Sequence, residues 1–260
     1  MNLTGNTILI TGGGSGIGRG LAEAFHKQGN QVIISGRRQS VLDATTAANP
    51  GMKSYSLDIE DAVDIESFAA RITDDFPALN AVINNAGIMR TEDYTASEID
   101  LSAAESIIGT NLLGPIRLTA ALLPHLKQQP HATLMTVSSG LAFLPLAMTP
   151  TYCATKAAIH SWTQSLRYQL RETKIEVLEL VPPYVQTELL GAQQAADPRA
   201  MPLADYIRET VQLIGNPPPS GEILVERVLP LRWAEKNGNF DEIFSSLNGS
   251  FHEELAGTRS

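Results

Sequence analysis

Short β-branched runs alternate with longer stretches whose apolar positions recur every three or four residues. "TILIT" (Thr7–Thr11) reads as a strand, and "IGRGLAEAFHKQG" (Ile17–Gly29) as a helix stopped by Gly29 and Asn30. The alternation continues with strand "QVIISG", helix "QSVLDATTAA", strand "KSYSLDI" and helix "AVDIESFAARITDDF". Strand "NAVINNAG" precedes a long helix, "ESIIGTNLLGPIRLTAALLPHLKQ". Strand "HATLMTVSSG", a second long helix "PTYCATKAAIHSWTQSLRYQLRET" and strand "KIEVLELVPP" complete the series. Repeated β-α-β order predicts an α/β fold: a doubly wound parallel sheet with helices on both faces, three layers in one domain.

No Pro/Gly/Ser linker divides the first 190 residues, and no repeat of fixed period is present. "NPPPSG" (Asn216–Gly221) is the one strong break. The residues after it are too few for an independent core without disulfides or metal. Residues 1–260 are therefore expected to form a single domain, with 216–260 an atypical C-terminal appendage packed on that domain or on a partner subunit.

The single cysteine, Cys153, cannot close an intramolecular disulfide, which fits a reducing compartment. No basic segment followed by a long apolar stretch opens the chain, and no apolar run reaches bilayer-spanning length. The expectation is a cytoplasmic protein without a membrane partner. A formal net charge of −9 argues against non-specific nucleic-acid binding, which needs clustered Lys and Arg. Small anionic ligands stay open, because a local patch can oppose the global charge.

Such a patch is offered by "TGGGSGIG" (Thr11–Gly18), between the first strand and the first helix. Glycines there let the backbone approach a phosphate, and the helix N-terminus attracts it. Gly13 and Gly18 have P-loop spacing, but Arg19 and Gly20 follow, so the lysine and the metal-binding hydroxyl are missing. The G-x-G-x-x-G fingerprint fails too: its third glycine falls on Arg19 or on Ile17. The motif is Thr-Gly-x-x-x-Gly-x-Gly, with Gly12, Gly14, Ser15, Gly16, Ile17 and Gly18 as candidate cofactor residues. At the end of the second strand, "IISGRRQS" places Gly36 where an NAD site has an acid, followed by Arg37 and Arg38. A 2′-phosphate needs positive charge and no carboxylate. NADP(H) is thus expected over NAD(H), with Arg37 the better candidate.

Tyr152 stands four residues before Lys156 in a helix, so the two share a face. A phenol with a pKa near 10 lies about 3 units, or roughly 4 kcal/mol, from neutral working pH. One ammonium about 4 Å away, at an effective dielectric near 20, is worth about that much. Thr149 reads as the N-cap and Pro150 as N1, which puts Tyr152 in the first turn, where the macrodipole also favours a phenolate. Ser138 and Ser139, the "NNAG" turn (Asn84–Gly87) and the glycine loop all fall at carboxyl ends of strands, where parallel sheets bind ligands. On its own, Asn111 reads as a kink or a buried polar contact in a helix.

In combination, "TGGGSGIG", "NNAG", the Asn111 of "GTNLLG", "SSG" and "YCATK" resemble the short-chain dehydrogenase/reductase family, over Leu3 to about Leu190. Ser139 lies thirteen residues before Tyr152, as in that family. The resemblance implies a Rossmann-type fold and an oxidoreductase that moves a hydride between nicotinamide and a carbonyl or alcohol. It implies Tyr152 as general acid–base and Lys156 as the group that lowers its pKa and holds the nicotinamide ribose. Ser139 would orient the substrate, and Asn111 would support a proton relay through Lys156. Asp58, with Ile59, would meet the adenine; Asn85, Ala86 and Gly87 would line the cofactor cleft. Pro182, Val185 and Thr187 would face the nicotinamide. Two departures stand out. Pro182-Pro183 replaces the family's Pro-Gly, and the tail lacks the usual last strand with its Val-Asp-Gly-Gly ending. "LVPPYVQTEL" and this tail resemble a DltE-like oxidoreductase subgroup.

Ser139, Leu141, Phe143, Tyr184 and Leu189 are the candidate substrate contacts. They are mostly apolar, which points to a small or medium carbonyl compound, although such residues equally serve a core or a subunit contact. The five histidines show no metal spacing, so no metal site is expected. By resemblance, the helices carrying Asn111 and Tyr152 pair across a two-fold axis, giving a homodimer or homotetramer. A dinucleotide-binding sensor with little turnover is the alternative function, and epimerase or dehydratase chemistry is a third.

Overall fold

The computed structural model describes residues 1–257, with side chains up to residue 249. Seven parallel strands form one sheet in the order β3-β2-β1-β4-β5-β6-β7. They are β1 (Thr7–Thr11), β2 (Gln31–Gly36), β3 (Lys53–Ser56), β4 (Leu79–Asn84), β5 (Ala132–Val137), β6 (Ile175–Val181) and β7 (Glu222–Leu224). The order reverses between β1 and β4, which opens a crevice at the carboxyl ends of those two strands.

The period of two along a strand sorts the core. Ile8, Ile10, Val32 and Ile34 pack on one face with Leu21 and Phe25 of α1 (Gly16–Lys27) and Ile207 and Ile214 of α8 (Leu203–Gly215). Leu9, Ile33 and Val82 pack on the other with Phe68 and Ile72 of α3 (Ala62–Asp75), Leu118 and Leu122 of α5 (Gly114–Leu126) and Leu166 of α6 (Pro150–Leu170). α2 (Gln39–Ala48) follows β2.

The long helix expected around Asn111 is divided. α4 (Ser102–Ile108) runs through a π-helical turn (Gly109–Leu113) into α5. Joined in this way, Ser102–Leu126 is long and apolar enough to cross a membrane by length and composition, which corrects the expectation that no run reaches that length. Its inward residues Ile107, Leu118, Leu122 and Leu126 are buried in the protein core.

The tail corrects a second expectation. A last strand is present: β7 pairs parallel to β6 with Leu180 opposite Ile223. Three residues after a Pro-rich turn are too short to show a period, which is why the sequence concealed it. Beyond β7 come α9 (Leu229–Arg232) and α10 (Phe240–Gly257), and α7 (Ala192–Ala196) lies upstream. Asn248 docks α10 on the main fold: it accepts the Ala147 N–H at 2.6 Å and donates to the Pro145 carbonyl at 3.2 Å.

Candidate active site

Thr11 ends β1 and stitches the crevice together. Its Oγ1 accepts the N–H groups of Asn85 and Ala86 at 3.0 Å each, and its carbonyl accepts from Asn85 Nδ2 at 2.9 Å. The glycine loop then turns with φ of 66° at Gly12, a value a side chain rarely adopts. Gly18 has a different reason to be glycine. A Cβ there would lie 2.3 Å from Asn85 Nδ2 and 2.4 Å from the Gly12 carbonyl. Gly18 is therefore where α1 presses against the loop and the "NNAG" turn; it does not line the cleft, a correction to its expected cofactor contact. Overpacking of this kind costs about 1–3 kcal/mol. Gly18→Ala is expected to lower the melting temperature by roughly 3–10 °C in a thermal circular-dichroism scan. An unchanged melt would show that the loop yields freely.

A cleft of about 660 Å³ runs from this loop along the strand ends. At one end stand Arg37 and Arg38. Arg38 donates to Ser15 Oγ at 3.4 Å, and Arg37 pairs with Glu60 Oε1 at 3.1 Å. The Thr110 hydroxyl also donates to Glu60, at 2.7 Å. Leu57 and Ile59 form the adjoining wall. Asp58, expected at the adenine, is not on that wall; its Oδ1 accepts the Glu60 N–H in a tight turn.

At the other end the cleft is lined by Gly87, Ser139, Tyr152, Lys156, Pro182, Val185 and Thr187. Lys156 is 5 % exposed and donates to the Val137 carbonyl at 2.8 Å, with its Nζ 5.5 Å from the centre of the Tyr152 ring. Burial pushes the Lys156 ammonium down to about 8, and the charge of Glu179 opposes that. Burial likewise pushes the Tyr152 phenol up, against a hydrogen bond with Ser139. Desolvation therefore works against the expected lowering of the tyrosine, and the Ser139 hydrogen bond works with it. Thr149 does sit at the N-cap of α6, but its hydroxyl donates to the Leu146 carbonyl instead of capping.

Asn111 is set behind the cleft wall. Its Oδ1 accepts the Ile88 N–H and its Nδ2 donates to the Ile88 carbonyl, both at 2.9 Å. The π turn supplies this placement by shifting the helix face at Gly109–Leu113. Asn111 therefore holds the segment that follows "NNAG".

A second cavity, of about 80 Å³, adjoins the first at Ser139 and Tyr152. Met89, Leu141, Leu146, Leu190, Leu231 and Leu247 make it apolar, and Tyr184 and Leu189 also line it. Phe143, expected here, lies elsewhere: its ring is wedged between His160, centroids 4.7 Å apart, and the Arg232 guanidinium 4.4 Å away.

The profile of the family described as short chain dehydrogenase matches residues 6–198. This chain belongs to that family. Among relatives of this short-chain dehydrogenase, the uncharacterized oxidoreductase DltE of Bacillus subtilis (strain 168) is 38% identical over 251 residues. That match covers 95% of this chain and 98% of the relative. A short chain dehydrogenase from Burkholderia cenocepacia J2315, solved in complex with NADP, shares the fold with a TM-score of 0.80 at 21% identity, over 95% of this chain and 99% of that one. The 3-ketoacyl-(acyl-carrier-protein) reductase of Brucella melitensis, solved with NADH, gives a TM-score of 0.75 at 27% identity, over 85% and 96%.

Sequence reasoning missed Glu60, Leu231 and Leu247 as builders of the short-chain dehydrogenase site, and placed Thr11 in the glycine motif without its role in tying β1 to the "NNAG" turn. Glu60, Leu231 and Leu247 reach the site through long-range folding that no local pattern announces.

Proposed function

We propose that this short-chain dehydrogenase interconverts a small or medium, mostly apolar carbonyl compound and its alcohol, using NADP(H), with reduction the forward direction. One observation carries the reading. A single cleft joins an arginine pair, a helix N-terminus and the Tyr152/Lys156/Ser139 group, and an apolar pocket opens beside the last of these. The residues present fit a dinucleotide. Gly12 and Gly14 leave a cradle with no acid, α1 offers its N-terminus to a pyrophosphate, and Arg37 and Arg38 suit a 2′-phosphate.

Pro182, Val185 and Thr187 would hold the nicotinamide, which when bound would supply the hydride for the carbonyl carbon. The protein does the rest. Ser139 Oγ accepts the Leu141 N–H at 3.1 Å and shares a hydrogen bond with the Tyr152 hydroxyl, so a substrate oxygen at the pocket mouth would take the Ser139 proton in place of the phenol oxygen. Tyr152 donates its phenolic proton to the same oxygen as negative charge develops there. The Lys156 ammonium stabilises the phenolate left behind. The apolar pocket takes the substituent on the carbonyl carbon and keeps water away.

NADPH oxidation across ketones and aldehydes graded by substituent size tests this. Short aliphatic substituents are expected to give the highest kcat/KM, with a steep fall once the pocket is overfilled. Tight NADPH binding with no turnover on any member of the series would favour the sensor alternative.

A further inference from the structure

One buried charge near the site has no part in the chemistry described above. Glu179 is a mid-strand residue of β6 and is 0 % exposed. Val177 and Glu179 face the α6 layer, as the period of two requires. There His160 Nδ1 donates to the Glu179 carboxylate at 2.8 Å and 3.0 Å. His160 follows Lys156 by one helical turn, so the carboxylate lies beneath the same face of α6 that carries the lysine.

A carboxylate removed from water is costly unless it is paired. The surroundings of Glu179 hold four cationic or ionisable bases and a second acid. From α6 come Lys156, His160 and Arg167. From β7 comes Glu222, in register directly opposite Glu179. From α9 comes Arg232. On the β5 side, the residue in register is Thr136, which is bonded to Thr163 and carries no charge. Glu222 is already taken: Arg232 grips it with two hydrogen bonds, at 2.6 Å and 3.0 Å, and holds it below the ordinary carboxylate range against its burial. The Arg167 guanidinium hydrogen-bonds the Val177 and Gly221 carbonyls, strapping β6 to β7, and keeps its positive charge within reach of Glu179. The Glu179 charge therefore faces Arg167, His160 and Lys156, and of these Lys156 is the one that also lines the cleft. Lys156, for its part, has three N–H donors and one hydrogen bond, to the Val137 carbonyl, among the described contacts.

We propose that Glu179, oriented by His160, is a positioning residue for the Tyr152–Lys156 pair. It is the buried counter-charge that keeps the Lys156 ammonium protonated beneath the phenol. This rests on the reading of Tyr152 as proton donor. The Phe143 ring lies between His160 and the Arg232 guanidinium.

The sign of the effect follows from the charge. A negative group near the pair favours its protonated form, so Glu179 extends carbonyl reduction to higher pH. Tyr152 and Lys156 titrate together, and the basic limb of kcat/KM reports the pair. Glu179→Gln keeps an acceptor for His160 but removes the charge. It is expected to move that limb to lower pH by about one unit. Glu179→Asp, which restores the carboxylate, is expected to bring the limb back toward its original position. If the glutamine variant does not fold, Glu179→Thr makes the same test with a neutral strand-forming side chain.

An unmoved basic limb in the neutral variant overturns the proposal, whatever happens to kcat or to the melting temperature, since a purely structural carboxylate would change those alone. Tyr152→Phe is measured beside it. If that variant still turns over, the reading of the site falls and this inference falls with it. If it is inactive while the limb stays in place, only the role of Glu179 is lost.

Discussion

Replacing Tyr152 with phenylalanine is expected to lower kcat for carbonyl reduction by about 10²- to 10⁴-fold, the range supplied by a positioned general acid. The ring is buried between Ser139 and Lys156, and phenylalanine fills that space without the hydroxyl. NADPH affinity and the melting temperature should therefore stay close to those of the unaltered protein. The lost group is one proton donor. The upward push of burial on the phenol sharpens the expectation. A tyrosine pushed upward is fully protonated through the neutral range, as an acid for reduction must be. The Lys156 ammonium then does little in the ground state and most when the phenolate forms, because only then is there a negative charge for it to meet. Steady-state NADPH oxidation and a fluorescence titration of NADPH check both halves. Equal loss of binding and turnover would mean that the hydroxyl holds the cofactor instead of moving a proton.

The strands and helices up to Val181 were legible because each carries its own period. β1, β2 and α2 begin and end at the residues the pattern marked. Strand ends were overread at "LDI" and "SSG", where the chain leaves the sheet to build the cleft while its side chains stay apolar or small. α8 had a readable amphipathic pattern in Leu203, Tyr206, Ile207, Val211 and Ile214, all on the side that meets α1. β7 had none, since three residues cannot display alternation. The cleft itself was legible as a set of motifs at strand ends. Spacing along the chain does not show whether neighbours leave a residue a free face: Gly18 is packed against Asn85 and the Gly12 carbonyl, and Asp58 Oδ1 accepts the Glu60 N–H. Phe143 was misplaced by composition: an aromatic near Ser139 looks like a substrate contact until His160 and Arg232 are known to flank it. The apolar pocket depends on Leu231 and Leu247, which reach Ser139 only after the tail has folded back over the sheet.

Loss of either arginine at the end of β2 should separate the two nicotinamide cofactors. Arg37→Ala and Arg38→Ala are each expected to weaken NADPH binding by about 10- to 150-fold, the equivalent of about 1.5–3 kcal/mol for a charge-assisted hydrogen bond, while NADH binding changes by no more than about threefold. The structure sets an obstacle for Arg37, whose guanidinium is paired with Glu60 at 3.1 Å. Magnitudes decide the outcome. That pair is partly open to water, with 48% of the Arg37 side chain and 29% of the Glu60 side chain exposed. Pairs of this kind are worth about 0–1 kcal/mol. A 2′-phosphate brings more charge and more acceptor oxygens than one shared carboxylate oxygen, so it outcompetes Glu60 for the guanidinium. Glu60 keeps its Thr110 and Ser106 donors when Arg37 leaves, so the carboxylate is not stranded. Arg38 faces no such competitor; its hydrogen bond to the Ser15 hydroxyl, at 3.4 Å, is a long neutral-acceptor contact that a phosphate replaces with gain. Isothermal titration with both cofactors checks the separation. Parallel losses for NADPH and NADH would assign the arginines to shaping the glycine loop through Ser15, and a tighter dissociation constant for NADH than for NADPH in the unaltered protein would overturn the cofactor assignment itself.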